Sequence, residues 1–98
     1  MNPIICQAVN QMSLLEFEYD GGPRLVQPHC YGLSTAGNPV LRAYQLSGTS
    51  KSGAPVDWKL FNVNKMSNIR ISSQSFDKAH EGYKPNDSAM TIIYCQLP

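Results

Sequence analysis

Apolar residues recur at helical spacing at the start of the chain, whereas apolar and polar residues alternate in short runs over most of the remainder. Asn2 followed by Pro3 is a typical N-cap and first helical residue. The apolar positions between residues 4 and 12 then follow a period of 3.6 residues. This pattern predicts one short amphipathic helix over residues 3–12, which ends at Ser13.

The rest of the chain predicts a train of about five short strands with tight connections. Residues 15–19 alternate between apolar and polar side chains, and the turn sequence at residues 20–23 joins them to a second strand over residues 24–33. Pro28 lacks a ladder donor, so that strand is expected to be interrupted or to lie at an edge there. The other strands are predicted over residues 40–46, 58–63 and 90–97.

Three segments between these strands carry weaker signals. Residues 66–71 fit either a short strand or a turn, residues 47–57 predict a longer, mobile loop, and residues 76–87 predict irregular structure. One helix followed by about five strands favours a mainly β fold, built as a small five-stranded barrel or a strongly bent antiparallel sheet.

The composition fits a single small domain that spans residues 1–98. Hydrophobic residues occupy 42% of the 98 positions, which argues against disorder. Eight basic and seven acidic residues give a net charge of +1, which argues against gross electrostatic capture of duplex nucleic acid. Any anion site must therefore come from local clustering of a few Arg and Lys side chains.

The cysteines, Cys6, Cys30 and Cys95, are odd in number, far apart and without CxxC spacing. This pattern indicates neither a disulfide framework nor a zinc site, and it predicts free buried thiols in a reducing compartment. The N-terminus lacks a basic region followed by an apolar run, which predicts no signal peptide. Since no apolar run reaches the length of a membrane span, the cytoplasm is the expected location.

Candidate catalytic residues are few and lack supporting motifs. Neither His29 nor His80 lies in a hydrolase or metalloprotease motif, and no phosphate loop or metal loop is recognisable. Cys30 follows His29 directly, so the two side chains are expected on opposite faces of a strand, with Cys30 in the core and His29 outward. We therefore expect a binding protein without a cofactor; a small enzyme around His29, Cys30 or His80 is the remote alternative.

Cationic and aromatic residues are interleaved along the predicted strands. On the third strand Arg42 and Tyr44 share one face, opposite Leu41 and Ala43. Cations and aromatic rings on one sheet face are how small β domains hold nucleotides or single strands. The carboxylates Glu16 and Glu18 also share a strand face, and we interpret them as a solvent-facing stripe. The interleaved cations are Arg24, Arg42, Lys59, Lys65 and Arg70, and the aromatic residues among them are Tyr19, Tyr31, Tyr44 and Trp58.

The order of motifs is more specific than any one of them. A helix with ICQAVNQ precedes LLEFEYDGGPRLVQP, followed by PVLRAYQ at residues 39–45 and WKLFNVNKM at residues 58–66. In this order the chain resembles a WYL domain, the small SH3/Sm-like β-barrel module of bacterial transcription regulators and phage-defence proteins. Arg24, Val26 and Pro28 match the family's R-x-V-x-P element.

The chain departs from the family at several positions. Pro39 and Val40 stand where the family has its Trp and Tyr, and only Leu41 is kept. Asn62 stands where a basic residue is common, although Lys65 retains a positive charge. The DNA-reading domain that usually accompanies the module does not precede it in this sequence, so we expect either a free-standing module or a fragment of a longer regulator.

The resemblance implies ligand sensing through a small basic groove. The expected ligand is a nucleotide or a short single-stranded nucleic acid, with Arg24, Arg42 and Lys65 on phosphate and with Tyr44 and His29 stacking on or orienting the base. The alternative is an interaction module that uses an edge strand or apolar patch to form a homodimer or to dock on a regulator or effector protein. No membrane partner is expected.

Overall fold

The helix and strand order of the chain is seen in a computed structural model, which describes residues 1–50 and 53–98. The fold is mainly β with one short N-terminal helix, as the sequence predicts. The elements are α1 (Pro3–Gln11), β1 (Ser13–Tyr19), β2 (Gly22–Ser34), β3 (Pro39–Gly48), β4 (Asp57–Asn62), a 3-10 turn (Val63–Lys65), β5 (Ser67–Ser75) and β6 (Met90–Gln96).

Helix α1 begins where its sequence signals lie and ends one residue before the predicted boundary. The Asn2 side chain accepts hydrogen bonds from the Ile4 and Ile5 amides, and Pro3 needs no such partner because it has no N–H. Gln11 is the last helical residue. The C-cap, Met12, has a left-handed backbone, and its N–H donates to the Val9 carbonyl at 3.2 Å.

The β1–β2 hairpin follows from its two-residue turn. Asp20 and Gly21 have φ values of 50° and 80°, the left-handed conformation that a tight type I′ connection requires. Strand β2 then continues through Pro28 without ending. Its pairing with β1 stops at Val26 and its pairing with β6 starts at Cys30, so the missing N–H of Pro28 falls where β2 has no partner on that side. The prediction of a local edge is confirmed.

The antiparallel sheet has the order β4-β3-β2-β1-β5, and β6 adds to the second half of β2. It has six strands and not five. The additional strand is β5 at residues 67–75, which includes most of the segment 66–71 for which the sequence fits either a short strand or a turn. Over the described residues the bent sheet does not close into a barrel. The main core lies between one face of the sheet and α1, and it consists of Ile5, Ala8, Leu15, Phe17, Val26, Tyr31, Leu41, Ala43 and Phe61.

Cys6 and Cys95 form a disulfide, so the prediction of three free thiols was wrong for this pair. The bond joins α1 to β6, whose Cα atoms at these positions lie 5.7 Å apart. A separation of 89 residues hid the pairing, because nothing in the sequence places the two ends of the chain together. Cys30 is free and buried, as predicted.

The two long connections, after β3 and after β5, lie where the sequence predicts loops. Strand β3 runs to Gly48, so the predicted loop over residues 47–57 is shorter at its start, and its residues 51 and 52 lie outside the described part of the chain. The link between β5 and β6 is irregular, as predicted. Within the described ranges, no helix has the length and apolar character that crossing a membrane would need.

Candidate ligand site

The long connection between β5 and β6, residues 76–89, lies across the face of β2, β3 and β4 that is opposite the main core, and we call it the strap. It has no regular structure, yet hydrogen bonds tie it down along its length. The Phe76 amide donates to the Met12 carbonyl at 2.9 Å, and the Trp58 indole donates to the Glu81 carbonyl at 3.1 Å. The Tyr83 hydroxyl donates to the Leu97 carbonyl at 2.9 Å. These bonds make the strap a fixed second layer over the sheet.

Aromatic side chains fill the space between the sheet and the strap. Tyr44 stacks on His80 with ring centroids 3.5 Å apart and an interplanar angle of 14°. Trp58 meets Tyr44 edge to face at 5.5 Å. We call this group the aromatic cluster, and its members are His29, Tyr44, Trp58, Phe76, His80 and Tyr83.

His29 is the inner anchor of the aromatic cluster. Its side chain is 0% exposed, so the prediction that it faces solvent was wrong. The reason is the strap, which covers this face and buries His29. The prediction that His29 and Cys30 point to opposite faces was also wrong, because β2 has a register shift between Pro28 and Cys30. Tyr83 of the strap packs against His29 and also against the small cluster of Cys30, Val40 and Met90. His29 Nε2 accepts from the His80 amide at 2.9 Å, while Nδ1 lies 2.7 Å from the Gln27 carbonyl. This pattern requires the neutral ring with the proton on Nδ1.

The electrostatics of this region depart from those of an exposed surface. Burial lowers the pKa of His29 from 6.5 to about 4, against the raising effect of its bond to Gln27, and nearby His80 adds to the lowering. Burial also raises the pKa of the Cys30 thiol to about 11 and that of the Tyr83 phenol above its usual value. An unreactive thiol and a neutral imidazole argue for structural roles at His29 and Cys30.

The strap and the sheet line a half-open cavity of about 390 Å³, which we call the strap cavity. The Trp58 ring forms part of its wall, and Arg42 reaches it from β3. The Arg42 guanidinium is paired with Asp87 of the strap, through Nε–Oδ2 at 2.7 Å and Nη2–Oδ1 at 3.4 Å. Lys84 brings a second cation to the wall. The wall residues from the strap are Gly82, Tyr83, Lys84, Pro85, Asn86, Asp87 and Ser88.

Asp87 is held as a carboxylate. Burial raises the pKa of its carboxyl, but the hydrogen bonds from Arg42 and from the Ala89 amide, together with the Arg42 charge, outweigh burial, so that this pKa lies below 3.8. Around the cavity Arg42 and Lys84 are thus opposed by one acidic side chain, Asp87, and the wall has a net positive charge. A concave, partly aromatic, cationic wall suits a planar ligand that carries an anionic group.

Three of the five residues predicted to bind a ligand come together here. Arg42 lines the strap cavity, and His29 and Tyr44 belong to the aromatic cluster that supports its Trp58 wall. The predicted sharing of one face by Arg42 and Tyr44, opposite Leu41 and Ala43, is confirmed by the burial of the latter two in the core.

Arg24 lies on the other face of the sheet. Its side chain is 5% exposed, and Nη1 donates to Gln45 Oε1 at 3.1 Å. The guanidinium carbon lies 5.3 Å from the centre of the Tyr19 ring and 5.8 Å from that of Phe61, both of which pack in or against the main core. Gln45 is two residues from Ala43 on β3 and so shares its inward face, which separates Arg24 from Arg42.

Lys65 is exposed in the 3-10 turn after β4 and does not line the strap cavity. The structure therefore does not bring Arg24, Arg42 and Lys65 to one anion.

Most residues of the strap cavity could not be predicted from the sequence. Trp58 was recognisable as one of the aromatic residues interleaved with cations, but Tyr83, Lys84 and Asp87 lie in a segment without periodicity. One signal for this site was available: Tyr83 and Lys84 lie between Gly82 and Pro85, and glycine and proline are typical of a turn. No spacing rule could assign Asp87 to Arg42, which is 45 residues away.

Among the described residues, no group of three or more His, Cys, Asp or Glu side chains is placed to hold a metal ion. Comparisons with protein-family models, with curated proteins and with solved structures find no match for this chain.

Proposed function

We propose that this chain is a ligand-binding module that takes a nucleotide-type ligand, free or as the end of a single strand, in the strap cavity. One observation carries the proposal: the cavity joins the Trp58 ring to the cations Arg42 and Lys84 in one concave wall. Ring stacking and charge-assisted hydrogen bonds to phosphate are the two interactions that a nucleotide offers at once.

The dimensions and the charge of the cavity support this class of ligand. Its volume of about 390 Å³ lies near the lower end of the range for small-molecule sites, roughly 300–1,000 Å³. The Trp58 ring is held by edge-to-face contacts to His29 at 4.7 Å and to Tyr44 at 5.5 Å, so it is already ordered before a base stacks on it. A preordered wall reduces the entropy lost on binding.

The proposal keeps the class of function that the resemblance to the WYL family implies, and membership of that family is part of the proposal. It moves the anion contacts from the set Arg24, Arg42 and Lys65 to Arg42 and Lys84. Binding without turnover is proposed, because the buried neutral His29 and the buried Cys30 thiol are poorly placed to act on a ligand. A cytoplasmic location stays a prediction, and the Cys6–Cys95 disulfide weighs against it because such bonds are rare in reducing compartments.

The experiment uses the fluorescence of Trp58, which is the chain's one tryptophan. Adenosine 5′-monophosphate is expected to change this fluorescence saturably, with weaker binding at high salt because phosphate contacts are screened. Lys84→Ala is expected to weaken binding by about tenfold, equivalent to about 1.4 kcal/mol for a lost charge-assisted contact.

The matched control is Lys78→Ala, which removes the same charge from an exposed strap position outside the cavity wall. It should leave the affinity within about twofold, the range expected of a neutral surface change. A hexadeoxyadenylate titration distinguishes a free nucleotide from the end of a strand as the preferred form. Absence of any saturable signal at low salt, or equal losses in the two lysine variants, would contradict the proposal.

A second candidate function, a homodimer, is favoured by the chemistry of β6. This strand contains no charged residue, and its Ile92 is 52% exposed. Among the described residues β6 pairs with β2 alone, which leaves its other edge without a strand partner. Uncharged apolar edge strands favour pairing with another chain, and a second copy meets the same edge through a two-fold axis.

If β6 mediates dimerisation, light scattering after size exclusion should give twice the chain mass. Ile92→Lys should then shift the protein to the monomer, because two introduced charges would face each other across the axis. Leu60→Lys is the control, since Leu60 is also an exposed apolar residue but lies on β4. A monomeric wild-type protein, or a dimer that only Leu60→Lys disrupts, would rule out the β6 interface.

A further inference from the structure

We infer that Asp87 occupies the place of the ligand's anionic group on Arg42, and that a phosphate monoester binds the strap cavity by exchanging with this carboxylate. The inference rests on the proposed function and deepens it. It specifies a ligand with a terminal phosphate, and it gives the site an internal competitor that the ligand must displace.

The geometry of the pair is that of a bound oxyanion. Both carboxylate oxygens of Asp87 face the guanidinium of Arg42, at 2.7 Å to Nε and 3.4 Å to Nη2. Two parallel hydrogen bonds to a guanidinium are also how arginine holds phosphate. Arg42 is 31% exposed and Asp87 11% exposed, so the pair is at the wall of the cavity and not in the core.

The partners of Asp87 make exchange possible without unfolding. The remaining contact of its carboxylate is the Ala89 amide, which donates to Oδ1 at 2.9 Å, while its backbone carbonyl accepts from the Met90 amide at 3.1 Å. The strap is separately held by the bonds of His80 to His29, of Glu81 to Trp58 and of Tyr83 to Leu97. The preceding residue, Asn86, is held by Gln96 through its amide at 2.9 Å and its Oδ1 at 3.1 Å. Exchange therefore needs rotation of the Asp87 side chain away from Arg42, whereas the strap backbone and the aromatic cluster stay in place.

The exchange sets the chemical class of the ligand. A group that replaces Asp87 must accept two hydrogen bonds and carry at least the same charge, or Arg42 loses an ion pair on binding. A phosphate monoester meets both conditions and adds charge that Lys84 can engage. An uncharged nucleoside can stack on Trp58, but it has no anionic group that could replace the Asp87 carboxylate on Arg42.

The test compares Asp87→Asn with Glu81→Gln, using calorimetric titration with adenosine 5′-monophosphate and with inorganic phosphate. Each variant removes one negative charge from the strap, but the Glu81 side chain lies outside the cavity wall. Asp87→Asn is expected to raise the affinity for both anions by about tenfold or more, because the competitor for Arg42 is gone. Glu81→Gln should change it by less than about twofold. Equal effects of the two variants, or no gain in Asp87→Asn with an unchanged melting temperature, would overturn the inference.

A measurement on the wild-type protein decides the matter if Asp87→Asn loosens the strap. Nitrogen-15 spectra report the Arg42 Nε–H and the Trp58 Nε1–H separately during titration with adenosine 5′-monophosphate. Shifts of both resonances are expected, whereas adenosine should shift that of Trp58 alone. A Trp58 shift without an Arg42 shift on adding the nucleotide would overturn the exchange and leave the proposed function standing. If neither resonance moves, both fail.

Discussion

Reduction of the Cys6–Cys95 disulfide is expected to lower the free energy of unfolding by about 4 kcal/mol. The bond closes a loop between positions 89 residues apart, and in the chain-entropy model a loop of this length restricts the unfolded state strongly. A domain of this size has a total stability of roughly 5–15 kcal/mol, so the loss is a large part of it. Urea unfolding followed by circular dichroism, with and without a thiol reductant, measures the difference.

Two variants serve as controls for this measurement. Cys6→Ser combined with Cys95→Ser should reproduce the reduced protein and should no longer respond to reductant. Cys30→Ala removes the buried free thiol and should keep the full response, because Cys30 takes no part in the bond. An unfolding midpoint that does not move when the wild-type protein is reduced would contradict this account of how the chain ends are held together.

Acidification from pH 6.5 to pH 4 is expected to remove about 3 kcal/mol of stability through His29 alone. The pKa of His29 is lowered to about 4 in the folded protein from 6.5, and each unit corresponds to about 1.4 kcal/mol. Between these values the unfolded chain binds the proton and the folded chain does not, so stability falls as the pH falls. Below the folded pKa both states are protonated, and the loss is complete.

The physical cause of this loss is the environment of the ring. A protonated His29 could not accept the hydrogen bond from the His80 amide, and its charge would lie among Trp58, Phe76 and Tyr83. Asp87 contributes little in this range, since its pKa is lowered from 3.8 and most of its contribution is lost below that pH.

His29→Phe provides the control, because it keeps a ring in the cluster and cannot take up a proton. Urea unfolding at several pH values should show a slope between pH 6.5 and 4 in the wild-type protein that is larger than in this variant. Parallel pH profiles for the two proteins would show that His29 is not the buried neutral group described above.

The elements that the sequence predicts well are those with local causes. The Asn2–Pro3 start of α1, the Asp20–Gly21 turn and the gap in pairing at Pro28 each depend on residues that are neighbours in the chain. Strand β5 was left open because its polar residues give it little apolar alternation; it forms because β1 offers an edge to pair with. The pairing with β1, which is a tertiary contact, therefore determines that residues 67–75 form a strand.

The candidate site was harder to predict because it depends on which faces are covered. An apolar–polar alternation shows that two faces differ, but it does not show that a distant irregular segment will cover the polar one. His29 was therefore expected in solvent, and Arg24 was grouped with Arg42 although they lie on opposite faces of the sheet. Only the pair Arg42 and Tyr44, two residues apart on one strand, could be placed together by local periodicity.

The central claim is that the strap cavity binds a nucleotide, and amide shift mapping with adenosine 5′-monophosphate at low salt tests it most directly. The account predicts saturable shifts at the Trp58 indole and at the amides of residues 82–88, with little change at Arg24 and Lys65. Shifts confined to the surroundings of Arg24 or Lys65, or none at saturating nucleotide, would contradict it.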